Sequence, residues 1–292
     1  MVLVIEKVGK RYNKNFWGIK DINLELKEGI IGLLGPNGAG KSTLMRILAT
    51  ISQPTQGRVT WNGRDLAAHP DELRRVLGYL PQDFGVYPNL TAVEFLQYMA
   101  AVKGLDGSRA NRRIDELLEL LNLNGARKRK IGGYSGGMKQ RIGIAQALLN
   151  DPKVLIVDEP TVGLDPEERM RFRNLLADLS QGRIILFSTH IVSDIEATAD
   201  RIVILAKSRL LADAPPSQLL KLAEGKVWST VIPENQLQEA RSKWLISGSV
   251  RIGEGVRVRM VAGEAPAPDA VQVAPDLEDA YLFLRSGLGD SQ

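Results

Sequence analysis

The eight residues Gly35–Ser42 (GPNGAGKS) constrain the fold of this 292-residue chain more than any other segment. They stand between a short apolar run, Ile30–Leu34, and a helical pattern over Lys41–Ala49, so the chain reads strand, glycine-rich turn, helix. That context is the one in which the G-x-x-x-x-G-K-S pattern forms a phosphate-binding loop. Glycines let successive backbone N–H groups converge on phosphate oxygens, and the helix start adds its dipole. Gly35, Pro36, Asn37, Gly38, Ala39 and Gly40 would build the cradle. Lys41 would reach the terminal phosphates, Ser42 would offer its hydroxyl to Mg²⁺, and Thr43 would complete the nucleotide contacts at the helix start.

Further along, Val154–Pro160 (VLIVDEP) is a buried apolar strand that ends in two carboxylates. If strand geometry continues through them they point to opposite faces and serve different purposes. Asp158 would hold Mg²⁺ through its water shell, while Glu159 would face the terminal phosphate and orient or deprotonate the attacking water. The stretch Tyr134–Arg141 (YSGGMKQR) sets Ser135, Gly136 and Gly137 before a strong helical pattern, a second helix start suited to an anion.

These motifs are distributed over an α/β chain. Alternation at Val2 and Val4, then at Ile22, Leu24 and Leu26, predicts a β-rich opening layer. From Asp71 to Asn150 the pattern is helical, with a Thr91–Glu94 capping box and with Ser108 capping another helix, which predicts an inserted helical subdomain over about 83–150. After Pro152, strands at Val154–Val157, Ile184–Phe187 and Ile202–Leu205 alternate with helices at Pro166–Leu179 and Val192–Thr198, the signature of a parallel sheet with right-handed crossovers. Pro215 and Pro216 break that pattern. The reading is one domain over 1–214, a linker helix over 215–224 and a small α+β accessory domain over 225–292, with strand-like VWSTVI, an alternating Val256–Val261 and a final helix at Leu277–Leu284.

Composition narrows the chemistry. The chain has no cysteine, which excludes disulfides, thiolate catalysis and thiolate metal sites. No apolar run approaches the roughly 18 to 20 residues that cross a bilayer, and the start lacks the apolar core of a secretion signal, so a cytoplasmic location is expected. A net charge of only +4 permits an anionic partner without arguing for one, and no nucleic-acid partner is expected. The basic run Arg127–Lys130 reads as a solvated loop, and His69, before Pro70, has no assigned role.

Taken in order, GPNGAGKS, Gln82, YSGGMKQR, VLIVDEP, the GLD at Gly163–Asp165 and His190 resemble the ABC ATPase family over about residues 1–214. The resemblance implies a P-loop NTPase fold: an ABC-type ATPase domain with a parallel sheet core, an antiparallel β layer and an inserted helical subdomain, here followed by the small α+β domain. It implies ATP and Mg²⁺ as cofactors and ATP hydrolysis as the activity. It further implies that Gln82 links Mg²⁺ and the attacking water to the partner surface, that His190 contacts the γ-phosphate, that Tyr12 stacks on adenine, and that Asp165 lies at a dimer interface. In the family the Ser135 turn of one subunit closes over ATP on the phosphate loop of the other, which predicts a head-to-tail pair with a second nucleotide-binding subunit, a homodimer or a heterodimer. Tyr134 and Met138 depart from the commonest LSGGQ signature, and a thioether at 138 gives only a weak acceptor. YSGGM, TVGLDP at Thr161–Pro166 and the closing PDLEDAYLFL look like the subfamily that pairs with ABC-2-type permeases, often exporters. The resemblance thus implies a permease partner and a peripheral place on the inner face of the membrane. A soluble family member acting on ribosomes or nucleic acid is the other reading. Such proteins usually carry two cassettes, long coiled-coil arms or zinc-binding insertions, none of which fits this chain.

Overall fold

The computed structural model describes residues 1–287, which divide into two compact units, a first over 1–210 and a second over 211–287. The first unit opens with β1 (Val2–Asn13), β2 (Phe16–Lys27) and β3 (Gly29–Leu34), then α1 (Lys41–Leu48), β4 (Gln56–Trp61), β5 (Arg64–Asp65), α2 (Pro70–Arg74) and β6 (Leu77–Leu80). The helical insertion follows as α3 (Ala92–Val102), α4 (Gly107–Leu120) and α5 (Gly136–Leu148). The chain then alternates through β7 (Val154–Asp158), α6 (Pro166–Leu179), β8 (Ile184–Thr189), α7 (Val192–Glu196) and β9 (Arg201–Ala206), and β10 (Arg209–Ala214) runs across the boundary between the units.

Two sheets carry this unit. One has the order β2-β1-β4-β5, with β1 antiparallel to both β2 and β4. The other runs β10-β9-β3-β8-β7-β6, and the β9-β3-β8-β7-β6 ladder is parallel. Leu3, Ile5 and Val8 of the first sheet join Ile31 and Leu33 of β3, Leu44 and Met45 of α1, and Ile156 and Leu186 of the second in one buried core. The expected antiparallel layer, parallel core and helical insertion are therefore all present.

Four local expectations need correction. Leu3 and Ile5, rather than Val2 and Val4, face the core, because the whole opening run is apolar and only pairing with β2 and β4 sets its phase. Leu77–Leu80, expected to be helical, is the edge strand β6, held parallel to β7. Asp106 caps α4, accepting a 2.9 Å hydrogen bond from the Arg109 N–H, and Ser108 only donates to that carboxylate. Strand geometry ends at Asp158, since Glu159 has φ +49°. The Thr91–Glu94 box on α3 forms as expected in both directions, and α6 spans Pro166–Leu179 as read. Lys128–Lys130 are exposed, while Arg127 pairs with Asp115 at 2.5 Å.

The second unit contains α8 (Pro216–Leu222), β11 (Val227–Ile232), α9 (Leu237–Lys243), β12 (Leu245–Ile252), β13 (Gly255–Val261), β14 (Val271–Gln272) and α10 (Leu277–Ser286). Its sheet has the order β12-β13-β11-β14, and its core gathers Ile232, Ala240, Val256, Val258 and Met260. The α8 helix packs against α10 inside this unit.

One buried charge anchors α10 to the sheet. Asp279 is fully buried and accepts from Arg259, from Ser247 and, at 2.9 Å, from the backbone N–H of Asp276. Burial alone would raise its carboxyl, but the bonds from Arg259, Asp276 and Ser247 outweigh it and hold the group below the ordinary aspartate value. Because the folded value is the lower one, this stabilisation is fully present above about pH 4 and is lost as pH falls through the folded value. Arg259→Leu, which strands the carboxylate, is expected to destabilise the second unit by about 3–5 kcal/mol. Amide exchange in β11 and β13 reads this out, and unchanged protection would refute it.

Candidate nucleotide site

The phosphate loop follows β3, and its geometry comes from its glycines. Gly40 caps α1 with φ +107° and no side-chain hydrogen bond, so the first N–H groups of the helix have no competing side chain. A Cβ there would also lie 2.4 Å from the Gly18 carbonyl oxygen. The first turn of α1 carries no acid, which leaves its dipole open to an anion.

Lys41 is 5% exposed, and its Nζ donates to the carbonyls of Gly35 at 2.7 Å and Pro36 at 3.4 Å. It also lies 3.7 Å from Glu159 Oε1. Burial pulls the ammonium below the usual lysine value, opposed by the charges of Glu159 and Asp158. The cation is thus pinned beside the loop and partly neutralised by the carboxylate that it faces.

Glu159 is the hub of the site. Its Oε2 accepts from Gln82 Nε2 at 3.4 Å and lies 3.4 Å from His190 Nδ1. Its left-handed backbone is held by an N–H bond to Ser188 Oγ at 2.9 Å, and the same hydroxyl donates to Asp158 Oδ1 at 2.5 Å. Asp158 faces Ser188 across the parallel β7–β8 pair and is only 2% exposed. The two adjacent carboxylates are thus separated by a backbone turn, not by strand alternation, and Ser188 fixes both.

A cleft beside the loop is lined by Phe16, Gly18, Asn37, Ser42, Gln82 and Glu159, among others. Tyr12, expected to meet the adenine, does not line the cleft; its ring stacks on that of Phe16, with centroids 6.0 Å apart at 27°, and its hydroxyl is 3.3 Å from Thr43 Oγ1. Both rings are about half exposed. Phe16 and Ser188 escaped the sequence reading. For Ser188 the available signal was a hydroxyl ending an apolar strand just before His190.

The structure does not bring Ser135, Gly136, Gly137 or Asp165 into this cleft. Ser135 caps α5, accepting from the Met138 N–H at 3.3 Å, and Asp165 caps α6, accepting from the Glu168 N–H at 2.8 Å. A Cβ on Gly137 would fall 1.9 Å from Glu168 Oε2, and Glu168 is held by Arg141 at 2.9 Å. Gly136 has nothing within 4 Å of its Cβ position, so that side of the turn is open.

Phosphate loop, buried lysine, strand-end carboxylates and a neighbouring histidine on a parallel sheet define a P-loop nucleotide hydrolase. The comparisons agree. The ABC transporter family model matches residues 19–162. The chain is 37% identical over 234 residues to the ABC transporter ATP-binding protein YxlF of Bacillus subtilis, covering 80% of this chain and 77% of that one. It is 36% identical over 213 residues to the linearmycin resistance ATP-binding protein LnrL of the same organism, covering 72% and 68%. Among solved structures, an ATP-binding cassette captured as a dimer in a post-hydrolysis state with ADP and Pi aligns with a TM-score of 0.67 at 28% identity, over 73% of this chain and 98% of that one. The chain belongs to the ABC transporter ATP-binding proteins, and its activity is ATP hydrolysis.

Proposed function

We propose that this subunit powers a separate membrane permease of ABC-2 type, in the export direction, through ATP-driven head-to-tail pairing of two copies. The observation that carries the pairing is the open Ser135–Gly136 turn, an anion-suited helix start that does not line the chain's own cleft. Such a turn would complete a site by closing over nucleotide held by the other subunit. Export is supported by the likeness to a resistance protein and by the YSGGM and TVGLDP sequences. Among the described residues no helix is long and apolar enough to cross a membrane, and this reading assigns the transport path to the partner chain.

Hydrolysis in this reading divides among named side chains. Lys41 and the loop amides take up phosphate charge, Glu159 orients or deprotonates the attacking water, and His190 binds the terminal phosphate. Tyr12, with Phe16 in front of it, offers the aromatic surface for adenine. Ser135, Gly136, Gly137 and Asp165 serve the facing subunit. The oxygen donors Ser42, Asp158 and Gln82 would hold Mg²⁺, which would supply charge neutralisation at the phosphates. The second unit, which contains none of these residues, is assigned to partner assembly or regulation.

Affinity purification of the tagged chain from detergent-solubilised membranes of its own host tests the partner. The expected result is a polytopic membrane protein recovered in near-stoichiometric amount. Recovery with ribosomes or nucleic acid and no polytopic protein would overturn the reading.

A further inference from the structure

Three segments of the first unit meet at one buried carboxylate that the site described above does not use. Asp194 lies in α7, four residues after His190, and is 2% exposed. Its Oδ2 accepts a 2.8 Å hydrogen bond from Thr161 Oγ1, and Thr161 is itself 1% exposed. Its Oδ1 lies 3.9 Å from Nη1 of Arg173, in the helix that Asp165 caps. Thr161 in turn stands two residues after Glu159. One side chain therefore ties the loop of His190, the turn of Glu159 and the helix of Asp165 together.

The geometry between these anchors shows what they hold. Before His190, Ser188 grips Asp158 and the Glu159 N–H; after it, Asp194 grips Thr161. Between the two grips, His190 meets Glu159 through a single 3.4 Å contact, and its ring is about half exposed. A 3.4 Å contact with a half-exposed partner does not fix the register of two loops. A buried hydrogen bond on each side of it, Ser188 to Asp158 and Thr161 to Asp194, does. A charged carboxylate withdrawn from water is costly unless fully partnered, and an apolar residue would fill the same space at lower cost to stability. Placing an aspartate there serves geometry.

We infer that Asp194 is a positioning residue for ATP hydrolysis, acting through Thr161 and Arg173 to set the turn that carries Glu159 against the loop that carries His190. The inference rests on the roles proposed above for Glu159 and His190. It places Asp194 away from nucleotide, so its loss acts on the chemical step and not on ATP affinity.

The test uses the full chain, with turnover per folded molecule, KM for ATP and the Kd of a fluorescent ATP analogue measured together. Thr161→Val is close to isosteric and removes the donor; Asp194→Ala removes the acceptor. Each is expected to lower kcat by about 10- to 100-fold, the cost of a misplacement of about 1 Å, with KM and Kd changed less than about threefold. Thr161→Ser and Asp194→Asn keep the hydrogen bond and are expected to restore most of kcat, and the double variant Thr161→Val/Asp194→Ala to be no slower than the slower single one. Thr161→Val carries the test if Asp194→Ala does not fold. Turnover of Thr161→Val within about twofold of the unmodified chain, or equal losses in Thr161→Ser and Thr161→Val, would overturn the inference. Glu159→Gln in the same assay separates the two levels: if it is slow while Thr161→Val is normal, only the positioning role fails, and if it is itself normal the reading of the site fails.

Discussion

Glu159→Gln is expected to leave ATP binding intact and to slow hydrolysis by about 10²- to 10⁴-fold, the usual contribution of a positioned general base. The amide keeps the shape that meets Lys41 at 3.7 Å and Gln82 and His190 at 3.4 Å. It cannot take a proton, and it orients water less strongly than an anion does. Binding is spared because the phosphate contacts belong to the loop amides and to Lys41, whose ammonium loses a competing partner when Glu159 becomes neutral. Single-turnover phosphate release and equilibrium nucleotide binding, measured on the same preparation, separate the two effects. Hydrolysis near the unmodified rate, with binding confirmed, would remove Glu159 from the mechanism.

The composite site makes a second large expectation, carried by protomers with Lys41→Ala or Ser135→Arg. A dimer of either variant alone has two damaged sites. The first lacks the ammonium that meets the phosphates, and the second carries a bulky cation where the open turn beside Gly136 must approach them. Both should trap ATP poorly. In a mixed dimer one site inherits both lesions, while the other joins an intact Lys41 to an intact Ser135 from its partner and should again retain nucleotide. Retention after rapid desalting is the measurement, because steady turnover can demand two good sites. Differentially tagged mixed dimers that hold no more ATP than either pure variant would end the case for shared sites.

The parts of this arrangement that were legible in the sequence are those written in local spacing. GPNGAGKS needs only its own backbone to become a loop, and the bounds of α6 follow from Asp165, Pro166 and two acids in the first turn. Short or uniformly apolar strands were less legible. Leu77–Leu80 is too brief to show a period, and β1 offers apolar residues to both faces. The β12 strand, Leu245–Ile252, was hidden by its serines and glycine. Ser188, Phe16 and Asp194 were illegible for a different reason: their partners lie across a strand pair, a hairpin or a turn. Ser188 acts because β8 lies beside β7 in the register that sets it opposite Asp158, and the hydroxyl before His190 does not by itself announce that register.

Glu168 has a consequence of its own. Its backbone N–H receives the Asp165 cap, while its side chain covers Gly137 and pairs with Arg141. The Ser135 turn and the Asp165 turn are therefore mounted on one bracket, although thirty residues separate them in the chain. In the dimer proposed here both turns face the other subunit, and a shared mount lets them engage or withdraw only as a pair. At each of the two sites the Ser135 contact and the Asp165 contact would then break together, with no stage in which one of that pair persists alone.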